Sequence, residues 1–88
     1  MVIKGGIIMR LNNKSEVADF VETLNRCTGQ VHLRSVEGDD YNLKSLFSFY
    51  AAIGRLINER YSGLDLYCDN RADENLFFSF FHLHPETL

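Results

Sequence analysis

The sequence predicts an α+β domain, an α/β open-faced sandwich in β-α-β-β-α-β-α order whose mainly antiparallel four-stranded sheet carries three helices on one face. Three observations predict it. Short segments alternate apolar and polar residues with the period of a half-buried strand; longer segments place apolar residues three and four apart; and breaks rich in Asn, Asp or Gly separate the two kinds.

The first strand runs from Gly6 to Leu11, where Ile7, Met9 and Leu11 alternate with Ile8 and Arg10, and Asn12-Asn13 stops it. Val17, Phe20, Val21 and Leu24 then keep helical spacing while Asp19, Glu22 and Asn25 face away. Asn13, followed three residues on by Glu16, reads as a capping box, and Gly29 stands past the far end. Val31 and Leu33 alternate with His32 and Arg34 in a second strand reaching about Val36, before the turn signal Glu37-Gly38-Asp39. The returning strand, Asp40 to Asn42, has to be short. Leu43, Leu46, Phe47, Tyr50, Ile53, Gly54, Ile57 and Tyr61 already hold helical spacing, for about five turns capped by Asn42 and ended by Gly63. Leu64, Leu66 and Cys68 alternate with Asp65, Tyr67 and Asp69 in the last strand. Asp69 or Asn70 caps a final helix from about Ala72 to His82, carrying Leu76, Phe77, Phe80, Phe81 and Leu83.

Composition bounds the rest. Eighty-eight residues suffice for one domain, taken as 1–88, because a second core would have nothing to bury. With 45% hydrophobic and 24% charged residues the chain is too apolar for a disordered tail, and seven Phe and four Tyr let a small core bury large area. Nine Lys and Arg against twelve Asp and Glu give a net charge of −3, which argues against nucleic acid as a partner. No apolar run has the length of a membrane span, and the start lacks a signal-peptide layout, so a cytoplasmic protein is expected. Cys27 and Cys68 fit no CxxC or zinc spacing and are expected as free thiols.

The element string without its last helix is also that of the ferredoxin-like fold, so particular residues have to decide. The run Lys44-Ser45-Leu46-Phe47, the segment Ala18-x-Phe20-Val21, Thr28-Gly29 before the second strand and the Asp-rich start of the last helix together resemble HPr, the histidine phosphocarrier of the bacterial sugar phosphotransferase system. The resemblance covers about Asn13 to Leu83, and it implies the same β-α-β-β-α-β-α fold.

The resemblance also implies that the family's chemistry is lost. HPr accepts phosphate on a histidine at the start of the first helix, with an arginine and a proline close behind; here those positions carry Asn13, Ser15 and Glu16. An amide or a hydroxyl does not replace imidazole in reversible phosphoryl relay, and a carboxylate in the first turn repels phosphate. Asn13 is read as a plain helix cap. His32 falls on the exposed face of a strand, and His82 and His84 fall in the C-terminal tail, so none stands in as a displaced acceptor. The pair His82-x-His84 offers no metal site from the sequence, since alternate residues at a helix end point apart and no carboxylate or thiol completes the set. No cofactor, metal or enzymatic site is expected.

Ser45 is the family feature that survives. In Gram-positive relatives this serine is phosphorylated by a dedicated kinase and the product binds a transcriptional repressor; a catabolite-repression paralogue lacks the histidine and keeps the serine. The chain is similar to that paralogue, which implies a regulatory protein acting through protein contacts, with a serine kinase and a transcriptional regulator as partners. With Asn42 as cap, Ser45 falls at the third helical position, opposite the buried Leu43, Leu46 and Phe47 edge, where a phosphate meets free amides beside Lys44. The arginine that helps partners recognise the family's phosphoserine is missing, and the second helix is longer, through Arg55 to Tyr61. Lys44, Leu46, Phe47 and Phe78 are the candidate partner surface. Phe78 is included because Leu76-Phe77-Phe78-Ser79-Phe80-Phe81 sets rings nearly all round the axis, so Phe78 is covered either by the second helix or by a partner or second copy, in a monomer or a homodimer. The alternative is an interaction domain that kept the fold and has no phosphotransferase role.

Overall fold

Strand alternation sorts side chains onto two unlike faces in the computed structural model, which describes residues 7–58 and 63–88. The elements are β1 (Ile7–Met9), α1 (Lys14–Asn25), β2 (Val31–Arg34), β3 (Asp40–Asn42), α2 (Leu46–Leu56), β4 (Leu64–Cys68) and α3 (Arg71–Leu83), followed by a 3₁₀ turn at Pro85–Thr87. The sheet order is β1-β4-β2-β3, and every neighbouring pair is antiparallel. Ile7 lies opposite Leu66 and Met9 opposite Leu64, while Leu33 is flanked by Leu66 and Tyr41. These residues share one face and join the buried helix residues in a single core cluster.

The other face carries Ile8, His32, Arg34, Asp40, Asp65 and Tyr67, of which Ile8 is 57% exposed. Asp40 accepts from His32 Nδ1 at 2.9 Å and Arg34 Nε at 3.1 Å, and the Arg34 guanidinium lies 4.6 Å from the centre of the Tyr67 ring. The helices therefore lie on one face only.

Phe20 of α1 is the centre of the covered side. Fully buried, its ring sits 5.6 Å from Phe77 and 5.8 Å from Phe80, the latter edge-on, so α1 and α3 meet over it. Asn13 caps α1 as expected: its Oδ1 accepts from the Glu16 N–H at 2.9 Å, and its Nδ2 donates to Glu16 Oε2 at 3.2 Å. Asn70 caps α3 through the Ala72 N–H at 2.9 Å. The β2–β3 hairpin turns at Gly38, whose φ of +98° needs glycine.

Several boundaries differ from the sequence reading. α1 ends at Arg26 in ordinary right-handed geometry, and Gly29 serves a different need. A Cβ there would sit 3.0 Å from Asn70 Cβ and 3.3 Å from Asp73 Oδ2, so glycine lets the loop close on the start of α3. β2 stops at Arg34, because the Ser35 N–H turns to the Asp39 carbonyl at 2.9 Å. The second helix spans three turns, not five: it starts at Leu46 and ends at Leu56, and Tyr61 lies outside the described residues. Gly63 stands immediately before β4, where its φ is +99° and a Cβ would meet the Met9 carbonyl at 2.7 Å.

The closure at Gly29 is electrostatic as well as steric. Asp73, buried in the first turn of α3, accepts from the Thr28 N–H at 3.0 Å and the Gly29 N–H at 2.8 Å. The Thr28 amide, with the Gly29 amide and against the pull of burial, holds its carboxyl below the usual value. A depressed folded-state pKa contributes stability above the unfolded value of about 3.9 and loses it as pH falls. Asp73→Asn is therefore expected to lower the urea midpoint at neutral pH, with the two proteins converging below about pH 4; parallel pH profiles would oppose this account. Phe20→Ala is expected to cost about 3–5 kcal/mol at unchanged m-value in the same titration.

Candidate functional site

The chain between β3 and α2 sets up the most exposed apolar surface described. Leu43 still belongs to the sheet side: it is buried, and its N–H bonds the Val31 carbonyl at 2.9 Å. Asn42 does not cap the helix. Its Oδ1 takes the Lys44 N–H at 2.9 Å, and its carbonyl takes the Ser45 N–H at 3.0 Å, forming a turn of the kind asparagine favours. The turn moves the start of α2 three residues on from the sequence reading. Ser45 is therefore the N-cap residue, in extended geometry, and not the third helical position. Its side chain makes no capping hydrogen bond, and no acidic residue occupies the first turn. The first intrahelical bond runs from the Phe49 N–H to the Ser45 carbonyl at 2.8 Å, so the amides of Leu46, Phe47 and Ser48 precede the helical ladder.

Leu46 and Phe47 do not form the buried edge expected beside Ser45. They are 65% and 88% exposed, because a start at Leu46 turns Ala52 and Leu56 inward, with Phe49 and Ile53 packed against the core. Tyr50 (65% exposed) and Ile57 (50%) extend the outward stripe. Gly54 lies along it with open space around its Cβ position. At its far end the stripe borders an open, apolar groove of about 450 Å³ lined by Val17, Ala18, Ile53 and Ile57, with Asn12, Asn13 and Lys14 at the start of α1. The cap residue Asn13 thus adjoins the same surface. Lys44 is exposed, and its ammonium donates to the Cys27 carbonyl at 3.2 Å.

Arg55 anchors the inner side of α2. Its guanidinium bonds Glu37 at 2.8 Å, Asp39 at 2.9 Å and the Tyr41 hydroxyl at 3.2 Å, tying the last turn to the β2–β3 hairpin. Phe78, 43% exposed, is not part of the α2 surface, since α3 packs chiefly on α1, the C-terminal 3₁₀ turn and β4. Both cysteines are free. Burial pushes the Cys68 thiol up to about 12 and raises that of Cys27 as well, which leaves neither a ready nucleophile.

The histidines separate. His32 pairs with Asp40 on the open face, and His82 is exposed on α3. His84 departs from the sequence reading, because carboxylates do gather round it. Its Nε2 is 2.6 Å from Asp19, its Nδ1 is 3.4 Å from Glu86, and one ligand atom each from Glu16, His84 and Glu86 lies within 4.8 Å of the other two. Sequence spacing could not show this, because α1 supplies Glu16 and Asp19 and the C-terminal turn supplies Glu86.

No family model matches the chain, and no curated protein or solved structure matches it. Among the described residues, no helix is long and apolar enough to cross a membrane. Since Phe47 makes little use of its ring inside the molecule, Phe47→Ser is expected to change unfolding free energy by less than about 0.5 kcal/mol, measured by urea titration. A large loss would mean that the ring supports the fold and is not held out for contact.

Proposed function

We propose that this chain is an HPr-like regulatory protein without phosphohistidine carrier activity, which acts through protein contacts made by α2 and is controlled by phosphorylation at Ser45. The outward stripe of Leu46, Phe47, Tyr50 and Ile57 carries this reading. A short helix that turns four large apolar residues to water while burying Ala52 and Leu56 has more apolar surface than its own core needs.

Ser45 stands at the N-terminal end of that stripe. A phosphate on an N-cap oxygen meets the Phe47 and Ser48 amides and the positive end of the helix dipole, with no carboxylate in the first turn to oppose it. It would add a dianionic rim to an apolar patch, which changes partner choice without remodelling the core. Asn13, as a cap whose amide is engaged with Glu16, offers no acceptor for phosphoryl relay. The partners of this reading are a serine kinase and a transcriptional regulator.

Incubation with an HPr serine kinase and ATP is expected to add one phosphoryl mass to the wild-type chain and none to Ser45→Ala. Absence of the gain, or a gain that persists in Ser45→Ala, removes phosphoserine control and leaves an interaction domain without a phosphotransferase role. Acid-labile phosphate on incubation with the general phosphotransferase enzyme and phosphoenolpyruvate would instead restore a carrier.

A further inference from the structure

Three ligand-bearing side chains meet where the C-terminal turn closes on the start of α1. Glu16 is 1% exposed, and its carboxylate is oriented by amides: Oε1 accepts from the Asn12 N–H at 2.8 Å and Asn12 Nδ2 at 3.0 Å, and Oε2 from Asn13 Nδ2 at 3.2 Å. One ligand atom each of Glu16, His84 and Glu86 lies within 4.8 Å of the other two, and His84 Nδ1 lies 3.4 Å from Glu86 Oε1. The backbone fixes this approach. The Arg10 N–H bonds the Thr87 carbonyl at 2.6 Å, Asn12 Nδ2 bonds the Glu86 carbonyl at 3.1 Å, and Thr87 is fully buried.

The second ring nitrogen of His84 is already committed. Nε2 faces Asp19 Oδ2 at 2.6 Å, and the ring leans on Phe80 with centroids 5.1 Å apart. With Nε2–H donated to Asp19, the Nδ1 lone pair points toward Glu86. This carboxylate–histidine arrangement is how proteins orient a metal-binding imidazole. Two carboxylates this near to each other and to a ring-nitrogen lone pair repel unless a proton or a cation is held among them. A proton bridges only two of these three atoms at a time, whereas one divalent ion can meet all three. The 3.4 Å separation of Nδ1 and Glu86 Oε1 also equals that of two ligands on one tetrahedral ion with arms of about 2.0–2.1 Å.

We infer that Glu16, His84 and Glu86 form a binding site for a divalent transition-metal ion, with zinc(II) the best-matched, in which Asp19 is the positioning residue for His84. Water completes the coordination, because the exposed Glu86 leaves one side open to solvent. The ion joins the C-terminal turn to the capping box of α1, next to the groove at the start of that helix.

Titration of the full chain with zinc(II) alone, followed by calorimetry, is expected to show one ion per chain. Saturation at a hundredfold excess over Kd is expected to raise Tm by about 10–20 °C, reversed by a chelator. His84→Ala and Glu86→Gln should abolish the binding, and Asp19→Asn should weaken it about 10- to 100-fold. His82→Ala, which alters the neighbouring exposed histidine, should leave it unchanged. Glu16→Gln removes a charge and retains most of the polar contacts of the capping box, and it too should lose the ion; where that variant does not fold, Glu86→Gln at the surface gives the same answer. No heat and no Tm shift with the wild-type chain, undiminished binding by Glu86→Gln, or a loss that follows His82→Ala overturns the site.

Discussion

Everything on the covered side depends on burial being confined to one face of a four-stranded sheet. The far face satisfies itself with charge, as Asp40 is shared by His32 and Arg34 and Arg34 lies over Tyr67. All helices must therefore compete for the near face, and Phe20 settles how α1 and α3 divide it. Rings suit this task because each buries a large area from a single backbone position. What remains for α2 is narrower, so only Ala52 and Leu56 go fully inside, Phe49 and Ile53 pack at the margin, and Leu46, Phe47 and Tyr50 face outward.

The three helix starts differ in a way that bears on function. α1 begins in a reciprocal box between Asn13 and Glu16, and α3 begins with Asn70 as cap and Asp73 reaching to the preceding loop. Both starts are consumed by the fold. α2 begins at a serine whose hydroxyl caps nothing, beside the most exposed aromatic residue described. A helix terminus left open to solvent costs stability that a cap would restore, so its persistence in the α2 surface agrees with a role outside the core.

Much of this architecture was legible in the residues. The alternation in Leu64–Cys68 and Val31–Arg34, the Asn13–Glu16 box, the Gly38 turn and the Phe20–Phe77–Phe80 core all follow from period and capping chemistry acting locally. The errors cluster at α2. Leu43 keeps helical spacing with Leu46 and Phe47, yet its N–H is drawn into the sheet by Val31, a contact no local period encodes. An apolar surplus around Phe78 was readable, and the same surplus along Leu46–Leu56 offered a signal that the outer residues had no inner partner. The cluster around His84 was hidden for a different reason, since its members come from opposite ends of the chain.

The strand order has a consequence for how the chain is made. β2 and β3 form a local hairpin, but β1 has no hydrogen bond to β2; β4 lies between them and pairs with both. A chain emerging from the ribosome therefore has no sheet partner for β1, and leaves one edge of β2 unpaired, until residues 64–68 appear. Its sheet closes late, through contacts of long sequence separation, and until then the unpaired edge of β2 is a template for any extended segment that arrives first.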